Sequence, residues 1–203
     1  MPQALTVGVV LAGGTASRLG GGDKPLLQVG HDTMLARAIK AMMLPKIAIS
    51  ANGDPARFAA YGCPVLSDGE FTGFGPLAGL LAGLEWACSL GAASLLTIPG
   101  DTPFVPEHLV TSLTPPPACA ATGAYVHHLI ALWPVEARLP LRECLETSGQ
   151  RHVVRFARSI GMRRVDFPPA TWDRFLNVNT PADLAEARSR AGAPPAGSME
   201  NGE

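Results

Sequence analysis

The chain is 203 residues long, 47% hydrophobic and 16% charged, with a formal net charge of −1. That is the length and balance of one globular domain with a core large enough to need no staples. The charge excludes a nucleic-acid footprint, which needs a clustered excess of Lys and Arg, and the sequence offers no signal peptide and no membrane span.

In chain order, Val7-Gly8-Val9-Val10-Leu11 is a short, continuous β-branched run and reads as a buried strand of a parallel sheet. A glycine-rich loop follows to about Pro25. Leu35, Ile39 and Met42 recur at helical spacing and predict a helix over Asp32 to Met43. Lys46 to Ser50 and Cys63 to Leu66 are further strands. Leu77, Leu80, Leu81 and Leu84 make one apolar stripe, with Pro76 suited to the first helical turn. Ser94 to Ile98 is the next strand, ending at Pro99-Gly100-Asp101. The second half is less regular. Leu129 to Trp133 reads as a strand, Leu141 and Leu145 as a helix, and Val153, Phe156, Ala157 and Ile160 as another. Thr180-Pro181-Ala182-Asp183 is a helix start with a Thr cap, Pro at the first position and an acid three residues on.

Strands alternating with helices imply an α/β fold: a three-layer, Rossmann-like, mostly parallel sheet with helices on both faces and right-handed crossovers. The expected organisation is one domain over residues 1–191 and a polar, Pro/Gly-rich tail over 192–203 too poor in apolar residues to order. The late arginines Arg151, Arg155, Arg158, Arg163 and Arg164 read as a solvated helix face, with an anion-binding patch as the alternative. Cys63, Cys88, Cys119 and Cys144 are far apart, with no C-x-x-C pair. They read as small buried hydrophobes and point to the cytoplasm.

Four segments carry chemistry. Leu11 to Pro25 follows a buried strand, where open α/β sheets bind ligands. Its glycines let backbone N–H groups cradle phosphates, and Arg18 and an exposed Lys24 supply positive charge. It is neither the G-x-x-x-x-G-K-[ST] loop nor the G-x-G-x-x-G fingerprint. Asp101, just past a strand, directs a carboxylate into the same crevice, and Mg²⁺ is held by one or two carboxylates plus substrate phosphates. Phe74 to Gly79 opens a helix in a glycine setting suited to an anion or a polar base edge. Asn177-Val178-Asn179 places two amides on one side of an extended segment, for a polar ligand or for turn and cap chemistry.

Together these segments resemble the family of molybdenum cofactor guanylyltransferases. The family pattern is a strand, then L-A-G-G-x-x-x-R-[ML]-G-G-x-D-K, met here by Leu11 to Gly14, Arg18, Leu19, Gly20, Gly21, Asp23 and Lys24. Gly75 to Gly79, Asp101 to Pro103 and Asn177 to Pro181 match its later segments, and Asn52 and Asp68 fall at its nucleotide positions. The resemblance implies GMP transfer from GTP to molybdenum-molybdopterin with release of pyrophosphate, Mg²⁺ as cofactor, and delivery of the product to a molybdoenzyme or chaperone. It implies catalytic roles for Arg18, Lys24 and Asp101, with Asp101 holding the metal. It assigns the nucleotide to Leu11, Ala12, Gly13, Gly14, Lys24, Asn52, Asp68, Gly75, Gly79 and Asp101, and the pterin to His127, Asn177 and Asn179. One departure is His128, where relatives often have Pro after the His. The alternatives are a CTP-dependent cytidylyltransferase on the same pterin and a non-catalytic chaperone that binds the cofactor. A sugar-1-phosphate nucleotidyltransferase is disfavoured because such enzymes usually carry extra domains.

Overall fold

The computed structural model describes residues 4–13, 23–148, 152–168 and 174–192. In chain order these form β1 (Thr6–Leu11), a two-strand ribbon β2 (Gln28–Val29) and β3 (Asp32–Thr33), α1 (Met34–Met42), β4 (Ile47–Ser50), β5 (Val65–Leu66), α2 (Pro76–Ser89), β6 (Ser94–Pro99), α3 (Leu109–Leu113), β7 (Ala118–Thr122), β8 (Tyr125–Pro134), α4 (Arg138–Ser148), α5 (Val153–Ser159), β9 (Arg163–Asp166) and α6 (Pro181–Gly192). Seven strands make one sheet in the order β5-β4-β1-β6-β8-β7-β9. β5, β4, β1 and β6 run parallel, and β8 runs against both β6 and β7. β9 pairs parallel with β7. The mostly parallel α/β sheet expected from the sequence is therefore present.

The period of two along β1 divides the core. Val7 and Val9 face one layer with Leu77, Leu80, Leu84, Trp133, Leu141 and Phe156. Val10 faces the other with Leu35, Ala38, Met42, Phe58, Leu109 and Phe175. So α2, α4 and α5 cover one face, and α1 and α3 the other. A third, smaller cluster seats Leu184 and Ala187 of α6 on Val29, Met34 and Val178.

Strand order reverses beside β1. The crossover through α1 leads to β4 on one side, and the crossover through α2 leads to β6 on the other. α1 and α2 lie on opposite faces. A crevice therefore opens beyond the carboxyl ends of β1 and β6, where ligands bind in such sheets.

Three expectations need correction. β7 and β9 stand where the sequence reading has no strand. Arg163 and Arg164 lie on β9 and not on a helix face, Arg163 donating to the carbonyls of Leu113 and Pro115, while Arg151 lies outside the described residues. Of the cysteines only Cys119 is buried and Cys88 is exposed, because α2 turns Cys88 outward beside Glu85 and Ser89. The tail expectation falls on residues 193–203, outside the described residues, and Gly192 itself ends α6.

Candidate active site

Leu11, Ser50 and Pro99 end three neighbouring parallel strands in register. The chain beyond them lines a cavity of about 410 Å³ whose wall includes Leu11, Gly13, Asn52, Asp68, Gly75, Gly79, Asp101 and Asn177. These come from six separate segments, and all carry a nucleotide or pterin assignment above. Ala12 is buried just beneath, its N–H donating to the Ser50 carbonyl at 2.8 Å. Gly14 and Arg18 lie outside the described residues.

Lys24 differs from expectation. It is 7% exposed, and its Nζ donates to Asp101 Oδ2 at 2.6 Å and to Asn179 Oδ1 at 2.7 Å. A buried ammonium needs acceptors, since an unpaired charge in low dielectric is very costly. The groups expected to meet phosphate and metal are thus bonded to each other. Asn179 also donates from Nδ2 to Asn177 Oδ1 at 2.9 Å, so the two asparagines do share a side. Their segment is fixed by the Val178 N–H on the Asp101 carbonyl at 3.0 Å. It is fixed again by a capping box, in which Asp183 Oδ2 accepts from the N–H groups of Asn179 and Thr180. Those backbone donors are the main reason the Asp183 carboxyl lies below its usual range.

Across the cavity, Asn52 Nδ2 donates to Asp68 Oδ2 at 2.6 Å, and the Asp68 N–H donates to Asn52 Oδ1 at 3.0 Å. This two-point contact fixes the Asp68 carboxylate. Burial pushes the Asp68 carboxyl up, partly offset by the Asn52 bond. Gly79 brings the first turn of α2 against the strand ends, since a Cβ there would strike Ser50 Oγ and sit 3.3 Å from Leu11 Cδ2. Gly75 takes φ of 75°, a left-handed conformation that suits glycine, to start that helix.

Residues 8–163 match the family of MobA-like NTP transferase domains. The chain belongs to that family. It is 49% identical over 183 residues to the molybdenum cofactor guanylyltransferase of Acidiphilium cryptum (strain JF-5), a match covering 89% of this chain and 93% of the relative. It is 43% identical over 198 residues to that of Bradyrhizobium sp. (strain ORS 278), covering 91% and 92%. Among solved structures, the molybdopterin-guanine dinucleotide biosynthesis protein A from Archaeoglobus fulgidus superposes with a TM-score of 0.71 at 20% identity, covering 92% of this chain and 98% of that one. At that identity the likeness speaks to the fold alone.

Beside the first cavity of this family member lies a second, of about 270 Å³, which shares Pro99, Leu129 and Asn177 with it. Its wall includes His127 and His128. The β7–β8 ladder explains its shape: Cys119 pairs with Ala131, but the next residue, Ala120, pairs with His127. His128, Leu129 and Ile130 fall in the bulge between, and bulges re-aim side chains near sites. Thr97, buried in β6, donates to the Leu129 carbonyl at 2.8 Å and accepts from Trp133 Nε1 at 2.8 Å, which holds the bulge in place. His127 bonds Thr122 Oγ1 through Nε2 at 2.8 Å and packs 4.8 Å from the Phe175 ring. Burial, with Arg158 nearby, pulls the His128 imidazole below its usual range, so it is neutral at pH 7. Cavity and bulge thus put both histidines beside Asn177.

Sequence reasoning missed Arg57 and Arg142. Arg57 donates to Asp23 Oδ1 at 2.6 Å and to the carbonyl of Asn52, a residue of the first cavity's wall, with its guanidinium over the Phe58 ring. Neither arginine sits in a motif. Arg57 is the lone charge between Asp54 and Asp68, and Arg142 stands with Glu143 and Glu146 on a helix, so each reads as ordinary surface.

Proposed function

We propose that this chain transfers GMP from GTP to the terminal phosphate of molybdenum-loaded molybdopterin and releases pyrophosphate. The observation that carries the reading is one cavity wall holding both the Asn52–Asp68 pair and Asp101, itself bonded to Lys24. The names of the relatives support it. A phosphate oxygen of the pterin bonds to the α-phosphorus, the bond from that phosphorus to the α,β-bridging oxygen breaks, and the electron pair leaves with pyrophosphate. Catalysis of this kind is chiefly positioning and charge stabilisation.

Asp68, fixed by Asn52, accepts in its carboxylate form from guanine N1–H and the exocyclic amine. Adenine lacks that N1–H, and cytosine lacks both donors in that arrangement. Gly13 and the start of α2 let the nucleotide approach backbone closely. Lys24 moves its ammonium from Asp101 and Asn179 to the phosphates, where it offsets charge developing on the leaving group. Asp101 would hold Mg²⁺, a cation that favours carboxylate and phosphate oxygens. Bound there, the ion would neutralise charge on the triphosphate. In the second cavity His127 and Asn177 hold the pterin, with Asn179 bonded to Asn177 behind them, and neutral His128 adds a hydrogen-bonding ring to the same wall. The free thiols support a cytoplasmic setting.

The test is pyrophosphate release with molybdenum-loaded molybdopterin, across GTP, CTP and ATP and a Mg²⁺ titration. A site built around a buried hydrogen bond rejects an analogue lacking it by ~10⁴ or more. GTP is expected to dominate at that level, with no release in EDTA. Equal use of CTP would overturn the guanine assignment, and binding without turnover would favour a cofactor chaperone.

A further inference from the structure

Asp68 sits at the head of a segment with little intrinsic stiffness. Between β5 and α2 the chain makes one short turn over Gly69–Phe71 and places three glycines at positive φ: Gly69 at 55°, Gly73 at 90° and Gly75 at 75°. Glycine loses the most freedom on ordering, so something must hold this loop. Inside, Phe71 is nearly buried and meets Phe74 edge-on at 5.8 Å, while its N–H closes the turn on the Asp68 carbonyl at 3.1 Å.

Outside, one side chain spans the loop and two helices. Arg142 of α4 donates from Nη1 to Glu70 Oε1 at 3.0 Å and to Glu146 Oε1 at 3.3 Å. Its Nε meets Glu85 Oε1 of α2 at 3.2 Å, and its Nη2 bonds the same oxygen. Its guanidinium carbon stands 5.6 Å from the centre of the Phe71 ring. A single guanidinium thus touches Glu70 and Phe71, the last two residues of that turn.

We propose that Arg142 is a positioning residue for nucleotide selection: it staples the Gly69–Phe71 turn to α2 and α4 and so fixes where the Asp68 carboxylate points. This rests on the guanine reading of Asp68. Arg142 itself lies outside the cavity wall. The planar fork is what the geometry requires, because it meets three carboxylates and lies over a ring at once, which a point-charge ammonium does not do. Without it, three carboxylates face one another unneutralised. Glu70 is then driven from Glu85 and Glu146, and the turn swings with it.

The sign of the salt response separates this role from a general loss of stability. In the wild type, added salt screens the attraction that holds Glu70, so selectivity falls with salt. In Arg142→Met, salt screens the residual repulsion, so selectivity rises with salt. The GTP:CTP ratio of kcat/KM is the proper readout, because both nucleotides carry the same triphosphate and its electrostatics cancel. The ratio should fall about fivefold to tenfold in Arg142→Met at low salt, as suits a few exposed ion pairs and a cation–π contact. Most of the loss should lie in KM for GTP, and Arg142→Lys should recover only part. Amide exchange over residues 68–74 should quicken in the methionine variant.

A wild-type enzyme that prefers GTP, with a ratio and salt response unchanged in Arg142→Met, overturns the staple alone. A wild type without GTP preference overturns the guanine reading and the staple's role with it. Quickened exchange throughout the molecule, with the ratio unchanged, reduces Arg142 to a surface stability contact and also overturns the proposal.

Discussion

Replacing Lys24 with Met tests the site at its centre. Methionine keeps most of the buried stem and removes the ammonium. Asp101 Oδ2 and Asn179 Oδ1 then lose donors at 2.6 and 2.7 Å. Removing one partner of a buried pair costs ~3–5 kcal/mol, because the other charge stays behind. The Lys24 side chain is 9% exposed but that of Asp101 is 20% exposed, so water recovers part of the loss. An estimate of about 2–3 kcal/mol follows, or roughly 5–10 °C in melting temperature for a domain of this size. The loss should be greatest in EDTA. Millimolar Mg²⁺ or Mn²⁺ should restore much of it without nucleotide, since a divalent cation can take the ammonium's place at Asp101. The wild type, with Lys24 already there, should respond little. Turnover should fall by ~10²–10³. The assays are thermal melts with and without metal, and Mn²⁺ binding followed by electron paramagnetic resonance. Equal melting temperatures in EDTA would refute the buried-pair argument. Equal Mn²⁺ binding by the two proteins would refute the competition for Asp101.

Two further outcomes are expected. The Asp68 carboxyl is raised by burial, so the folded protein takes up that proton at higher pH than the unfolded chain. Its desolvation cost is present above the folded pKa and is relieved as pH falls through it. GTP needs the ionised form, so GTP affinity should weaken on acidification at a pH above the ordinary carboxylate range. Asp68→Asn should bind weakly and lack that acid limb in a calorimetric pH series, and a wild-type affinity flat to pH 4 would remove Asp68 from base recognition. Gly79→Ala should destabilise by ~1–3 kcal/mol through overpacking and raise KM for GTP, because the new Cβ strikes Ser50 Oγ beside the cavity. Adding Ser50→Ala should recover part of both effects, and strictly additive losses in that double-mutant cycle would show the clash to lie elsewhere.

The parts of this molecule that were legible in the sequence are those with a strong local period or punctuation. β1, β4 and β6 are β-branched or leucine-rich and end at glycine, asparagine or aspartate, so both strands and site edge could be read. Asn52, Asp68, Asp101 and Asn177 do meet in one cavity. β7 was not legible because Ala118–Thr122 is alanine-rich, with little β-propensity. β9, at the sheet edge, spells Arg-Arg-Val-Asp and hides as surface charge, as edge strands commonly do. The burial of Lys24 had no local signal at all. Charged residues default to the surface, and its acceptors lie 77 and 155 residues away in the chain.

Those separations also fix an order of events during synthesis. Lys24 leaves the ribosome long before Asp101, and Asn179 comes later still. At ~5–20 residues per second, Asn179 emerges roughly 8–30 s after Lys24. For that interval a lysine destined for the interior has no completed set of acceptors, and the nascent chain must keep it in water. The first strands can pair early, but the ammonium cannot gain its second acceptor until Asn179 has emerged. A shortened chain ending before Asn177 would therefore carry every residue of the first loop and still lack a finished site. Loss of α6, whose Asp183 fixes Asn179, should then be felt at Lys24, some 155 residues earlier in the chain.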